Sequence, residues 1–343
     1  MAKAQHQPVD SPRVSVVLAT HNRAHLLPHA IRSIIHQTFT DWELIVIDDA
    51  STDNTPHVVQ ALMEQDSRLR YHRHTHNRGL AAARNTSTQL ARGRYIALQD
   101  DDDLSLATRL DKQVRFLESH PDIDIVAAWR QNFDRYNMHP VNLKLQFSSH
   151  VDKPAPIHDI AVVPIASTPT LMARAHVFKE TPMRLFFSIA EDWDFILRCI
   201  ECYGIATIEE VLYHYRLADH DHITLSTATS NLLRCWGYHC LAWTSSFHRR
   251  MGWHDPVHKA KTIDDACAKL HPQFRTQARP SLKKLAQGFI TILIDNPKIN
   301  RRFRATYPTF VFIKRLAGLR IMLACMGRLL YHRLKAFLPI KSS

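Results

Sequence analysis

The run Asp100 to Asp103 directly follows an apolar segment, Tyr95-Ile96-Ala97-Leu98-Gln99. Four adjacent carboxylates repel one another, and a bare cluster would raise some of its own pKa values. A divalent cation would neutralise it, because carboxylate oxygens are the preferred ligands of Mg2+ and Mn2+. Magnesium-type sites usually combine one or two carboxylates with substrate phosphates. A solvated acidic turn is the alternative reading. The strand-end position speaks for the cation, since ligands of open α/β sheets bind at the carboxyl ends of strands. Asp48 and Asp49 end a second apolar segment, Glu43 to Ile47, and Thr20-His21-Asn22 ends a third, Val14 to Ala19. One crevice would then hold an acidic group able to read a base, hydroxyl-bearing side chains and a metal site. That suits a nucleotide whose diphosphate is held through a cation.

The elements that must position these groups follow from periodicity. Between the strand-like runs lie helical patterns: Leu26, Leu27, Ala30, Ile31, Ile34 and Ile35 share one face, and residues 79–91 and 105–119 also read as helix. Leu69 to His72 reads as a weak strand and Ile123 to Ala127 as a fifth. This alternation predicts an α/β fold with a mainly parallel, Rossmann-like sheet covered by helices on both faces. Further on, Thr170 to Ala173 and Val211 to Tyr215 read as strands, Glu191 to Tyr203 as a helix, and the chain beyond about residue 224 as helical. No GxGxxG follows a strand and no GxxxxGK[ST] is present, so the dinucleotide and P-loop readings lack their phosphate loops.

The same residues resemble the family-2 glycosyltransferases, which have the GT-A fold and use nucleotide-sugar donors. The matching pieces are Val14 to Arg23, Ser33 to Thr38, Glu43 to Thr55 (ELIVIDDASTDNT), Asn77-Arg78-Gly79 with Ala83-Arg84-Asn85, Gly93 to Asp103, Arg109-Leu110, and Glu191-Asp192-Trp193-Asp194 with Leu197-Arg198. They cover about residues 12–217. The resemblance implies that Asp49 hydrogen-bonds the donor base with Thr20 beside it. It implies a DxD motif in which Asp102 ligates the metal and Asp100 contacts the ribose or a metal-bound water. Asp101 takes the middle, donor-side position. Arg84 would lie near the diphosphate and Asp192 would be the catalytic base. The cofactor would be Mn2+ or Mg2+, with His220 or His222 as a candidate further ligand. Plainer readings stand beside these: Asp48 and Asp53 as loop or cap partners, Arg84 as a surface helix residue, Asp192 as a carboxylate favoured by a helix N-terminus, and the histidines as ordinary surface or core residues.

The expected organisation is a disordered N-terminus over 1–12 and a GT-A catalytic domain over 13–220. That domain divides into a nucleotide-sugar half, 13–130, and an acceptor half, 131–220. A helical extension follows over 221–300 and a basic amphipathic tail over 301–343. The net charge of +12 is lopsided: eleven Lys and Arg and no Asp or Glu lie from Lys298 onward, so the remainder is nearly neutral. Interleaved with Phe310, Ile313, Leu316, Leu323 and Leu330, these cations make a basic amphipathic pattern suited to an anionic membrane surface; a tail packed on the domain is the alternative. No motif points to nucleic acid. Met1 to Pro12 lacks an apolar h-region and no 18-residue uncharged apolar stretch exists, so a cytoplasmic protein, peripheral on the cytoplasmic face of the membrane, is expected. Cys199 and Cys202 form a lone CxxC, read as free thiols. Asn231 with Arg234-Cys235-Trp236 does not make the QxxRW of processive synthases. The expectation is therefore an inverting transferase that adds one sugar, from a UDP-, GDP- or dTDP-sugar, to a glycan or lipid-linked acceptor. The alternative is a catalytically inactive adaptor at a membrane surface.

Overall fold

The computed structural model describes residues 11–134, 138–139, 166–217 and 229–278. The described residues up to Leu217 form one compact unit and residues 229–278 belong to a second. The first unit runs β1 (Val14–Thr20), α1 (Leu27–Ile35), β2 (Trp42–Asp48), α2 (Thr55–Met63), β3 (Leu69–Arg73), α3 (Leu80–Leu90), β4 (Tyr95–Asp100), β5 (Leu104–Ser105), α4 (Arg109–Ser119) and β6 (Ile125–Phe133). A 3-10 turn at Thr168–Thr170 precedes β7 (Met172–Arg174), α5 (Ala175–Glu180), α6 (Glu191–Cys202) and β8 (Ile205–Arg216).

The sheet order is β3-β2-β1-β4-β7-β6-β8-β5. β1 is parallel to both β2 and β4, and β2 to β3. Every residue of β2 is buried, as expected for a strand covered on both faces. α1 turns Leu27, Ala30, Ile31 and Ile34 into the same core, and Pro28 sits in its first turn, where no donor is lost. Gly93 leads into β4 where a side chain has no room: a Cβ there would stand 2.5 Å from the Ser15 amide nitrogen. Its N–H donates to Ser15 Oγ at 2.8 Å.

The second half departs from the simple alternation. β7 is antiparallel to both β4 and β6, while β6 and β8 are parallel. The helix expected from 105 starts at Arg109, because Leu104 and Ser105 pair with His214 and Tyr213 of β8 instead. β8 itself is twelve residues long and extends well before Val211.

In the second unit, α7 (Thr229–Arg250), α8 (Ile263–Ala268) and α9 (Phe274–Gln277) follow one another, joined by the segments 251–262 and 269–273. Trp243, Phe247 and Phe274 are buried there, and Trp253 stacks on His271 with ring centroids 4.0 Å apart. Thr262 caps α8 by accepting from the Asp265 N–H at 3.1 Å. Residues 1–10 and the whole tail over 301–343 lie outside the described residues, as do His220 and His222. Among the described residues no helix is long and apolar enough to cross a membrane. Cys199 and Cys202 are free thiols, the first buried and the second exposed.

Candidate functional site

Strand register brings the sequence-selected residues to one edge. Thr20 pairs with Asp48 across β1 and β2, and Ala19 pairs with Asp100 across β1 and β4. The carboxyl ends of three adjacent parallel strands therefore carry Thr20, Asp48-Asp49 and the aspartate run.

The two aspartates after β2 do different work. Asp48 is buried and accepts from the Ser51 N–H at 2.7 Å and the Tyr71 hydroxyl at 2.6 Å, which makes it a loop anchor. Asp53 is another, accepting from the N–H groups of Ala24 and Thr55, both at 3.0 Å. Asp49 faces the segment after β3. Its oxygens accept from the Arg78 N–H at 2.9 Å and the Gly79 N–H at 2.7 Å, and His74 Nδ1 stands 2.7 Å away. Gly79, at φ +85°, adopts a backbone that favours glycine. The Asp49 carboxylate thus fixes the shape of the 74–79 segment. Its own N–H donates to Thr20 O at 2.9 Å, and the Thr20 hydroxyl is buried with no hydrogen-bond partner.

The aspartate turn between β4 and β5 is built by β8. The Tyr213 hydroxyl accepts from the Asp100 N–H at 3.2 Å. The Arg216 N–H donates to Asp103 Oδ1 at 2.7 Å, and Arg216 Nε to the Asp102 carbonyl at 2.7 Å. Asp103 is fully buried and its other oxygen, Oδ2, has no partner. Burial, reinforced by the charges of Asp102 and Asp100, raises its pKa well above the carboxylate range. Asp101 is pushed up to about 7 by burial. The Arg23 charge opposes this and the Asp102 charge adds to it; the nearby Thr20 hydroxyl, which does not close a hydrogen bond, also opposes it. Arg23 Nη1 donates to Asp102 Oδ2 at 2.6 Å. Asp100, 27% exposed, is the most open of the paired carboxylates here.

This donor set fits an oxygen-liganded divalent cation: several carboxylates share one turn, a buried carboxylate oxygen and the Thr20 hydroxyl stand unpartnered, and Asp101 is raised toward neutrality. Among the described residues no three His, Cys, Asp or Glu side chains converge as a ready-made cage. A Mg2+- or Mn2+-type ion held by one or two carboxylates and completed by phosphates needs no such cage. Asp102 is the side chain that would hold it, with Asp100 placed toward the ribose or a metal-bound water.

Arg84 joins this turn to the 191–194 motif. It is a buried residue of α3, not a surface one, 7% exposed. Its Nη2 donates to Asp100 Oδ1 at 2.6 Å and its Nη1 to Glu191 Oε1 at 3.1 Å. Burial alone would weaken its charge, but the Asp100, Glu191 and Asp192 carboxylates outweigh that and hold it more firmly protonated than a free arginine. Glu191 is raised to about 7 by burial and the Asp192 charge, against the pull of Arg84. Asp192 sits in the first turn of α6, where its Oδ1 accepts from the Trp193 N–H at 2.8 Å and its Oδ2 from the Thr168 hydroxyl at 3.3 Å. Asp194, fully buried, receives Arg184 and Arg198 and locks α6 in place. Ala190, just before the motif, has φ 64°, a left-handed backbone costly for alanine. Ala190→Gly is expected to raise stability by about 0.5–1 kcal/mol, strain relief outweighing the added chain entropy. Urea unfolding checks this; a loss of stability would show that the turn carries no strain.

Sequence reading did not assign roles to Arg23, His74, Tyr213 or Arg216. Arg23 was visible as the residue after Thr20-His21-Asn22. The other three become site residues only through long-range pairing.

Residues 15–174 match glycosyl transferase family 2. An uncharacterized glycosyltransferase of Methanocaldococcus jannaschii, MJ1057, is 31% identical over 218 residues, 62% of this chain and 74% of that protein. The Escherichia coli UDP-Glc:alpha-D-GlcNAc-diphosphoundecaprenol beta-1,3-glucosyltransferase WfgD is 38% identical over 109 residues, 32% of this chain and 42% of that one. The chain thus covers less than half of WfgD. Among solved structures, S. aureus TarS 1-349 in complex with UDP-GlcNAc superposes with a TM-score of 0.56 at 14% identity, covering 92% of each chain, and so shares the fold. The mostly parallel sheet with flanking helices is the GT-A fold. The chain belongs to glycosyl transferase family 2.

Proposed function

We propose that this chain moves one sugar from a nucleoside diphosphate sugar, with UDP, GDP or dTDP as the nucleotide, to an acceptor hydroxyl, with inversion at the anomeric carbon. The observation that carries the reading is Arg84, whose guanidinium spans Asp100 and Glu191 and so sets the donor-side turn beside the Asp192 motif. Asp49 and the 74–79 segment would form the base-binding wall, with Thr20 next to it. Asp100 and Asp101 would face the ribose and diphosphate. A divalent cation on Asp102 would neutralise charge growing on the leaving diphosphate. Arg84 would add a fixed positive charge at the same place. Asp192 would take the proton of the acceptor hydroxyl as it attacks from the face opposite the leaving group.

The acceptor is proposed to be a glycan or lipid-linked sugar in cell-surface polysaccharide or glycolipid assembly, by analogy with the diphosphoundecaprenol-linked substrate in the name of WfgD. The eleven cations from Lys298 onward support peripheral attachment to the cytoplasmic face of an anionic membrane. The presence of both Asp102 and Asp192 speaks against an inactive adaptor.

Calorimetric titration with UDP, GDP and dTDP, with and without Mn2+, tests the donor site. Wild type is expected to bind one nucleotide at least about tenfold more tightly with Mn2+ than without, a difference of about 1.4 kcal/mol. Asp102→Ala is expected to lose that difference. Folded wild-type protein that binds none of the three would refute the transferase reading of the aspartate turn.

A further inference from the structure

Arg23 reaches into the aspartate turn. Its backbone is pinned on both sides: the Asn22 N–H donates to Ser51 Oγ at 2.9 Å and the Ala24 N–H to Asp53 Oδ2 at 3.0 Å. Asn22 takes a left-handed backbone, φ 55°, which asparagine tolerates, and its side-chain oxygen accepts from the Thr52 N–H at 2.7 Å. The loops after β1 and β2 are therefore zipped together, and from them the Arg23 side chain reaches across to the aspartate turn. There Nη1 lies 2.6 Å from Asp102 Oδ2 and 3.9 Å from Asp101 Oδ1. The pair is largely shielded, with side-chain exposures of 15% for Arg23 and 9% for Asp102, so its attraction is little screened by water.

We propose that Arg23 is a tethered counter-cation that holds the Asp102 carboxylate ready and competes with the divalent ion for it. This rests on the metal reading of Asp102. A hard cation bonds a carboxylate oxygen at about 2.0–2.1 Å, so an ion on the oxygen that Arg23 now contacts would lie against a guanidinium of like sign. An ion alone on that oxygen weakens the Arg23–Asp102 pair and sets two like charges side by side, with only the aspartates of the turn to offset them. An ion arriving with a diphosphate brings the negative charge that Arg23 needs as its next partner. Arg23 thus makes free metal bind weakly and ties its retention to the presence of nucleotide. The paired arginine also relieves the carboxylate repulsion in the turn.

The test counts bound Mn2+ by electron paramagnetic resonance on the full chain, without nucleotide, for wild type, Arg23→Gln, Arg23→Lys and Asp102→Asn. Arg23→Gln keeps length and hydrogen-bonding capacity but removes the charge, and is expected to bind Mn2+ alone at least about tenfold more tightly than wild type. Arg23→Lys keeps the charge and should stay within about threefold of wild type. Asp102→Asn should bind weakest. Binding by Arg23→Gln equal to or weaker than wild type, with Asp102→Asn still defective, overturns the role of Arg23 and leaves the metal reading standing. Absence of Mn2+ binding by every variant, with UDP, GDP or dTDP present as well, overturns the metal reading and the inference together. Thermal melts of each variant verify that the folded state is what is being titrated.

Discussion

Asp192→Asn is expected to lower kcat by about 100- to 10,000-fold, the usual contribution of a positioned general base. Asparagine keeps the size of the side chain and an oxygen able to accept from the Trp193 N–H at the start of α6, while its amide nitrogen takes the place of the oxygen facing the Thr168 hydroxyl and can donate to it. It cannot take up a proton. Donor binding should therefore change little, because the turn at Asp100 to Asp103 is built by β8 and Arg84 and not by Asp192. Turnover with the nucleotide sugar identified by calorimetry, together with its dissociation constant, separates the two effects. A kcat within about threefold of wild type would remove Asp192 from the role of base. A parallel loss of donor affinity would mean instead that the variant disturbs Arg84.

The largest stability effect should come from Arg109, which touches no proposed ligand. Its side chain is completely buried. Nη2 donates to the carbonyls of Leu98 at 2.9 Å and Pro169 at 3.0 Å, Nη1 to Ser105 Oγ at 2.9 Å, and Nε to Gln113 Oε1 at 3.1 Å. The guanidinium carbon lies 4.9 Å from the Tyr213 ring centroid. Burial pulls its pKa down to about 10, opposed by Tyr213 and the Asp100 and Asp103 charges. It nevertheless stays protonated at neutral pH and serves as the common donor that joins β4 to the 3-10 turn before β7. Arg109→Met fits the space but strands the Leu98 and Pro169 carbonyls. Each buried unsatisfied group costs about 1–3 kcal/mol, so a net loss of about 3 kcal/mol is expected. In a domain of this size that lowers Tm by roughly 6–12 °C. A change under about 1 kcal/mol in urea would show that the site recloses around methionine at no cost, as some buried ionic groups allow.

The parts of the fold legible in the sequence are those whose burial is simple. β1, β2 and β4 are covered on both faces and read as largely apolar runs, while α1 shows its core face through Leu27, Ala30, Ile31 and Ile34. β7 has three residues and β5 two, too few for any period to show. β8 carries exposed glutamates at 209 and 210 in mid-strand, which hides its first half. The site divides the same way. Asp49, Asp100 to Asp102 and Asp192 stand out because carboxylates at strand ends and a helix start are conspicuous. The partners that shape them do not, since the Arg216 to Asp103 bond closes across 113 residues and the Arg84 to Glu191 bond across 107. Such pairings leave no trace in local spacing.

The fastening of Asp103 by Arg216 also sets an order of events. A nascent chain makes β1, β2 and β4 early, and their local crossovers let them pair as soon as they emerge. The aspartate turn cannot take its final shape then, because the strand that supports Asp100, Asp102 and Asp103 is synthesised more than a hundred residues later. Closing that long loop is slow relative to the earlier pairings. The aspartate turn is therefore expected among the last features to form, and the carboxylates acquire their crowded arrangement only once the remaining sheet is present to hold them against their own repulsion.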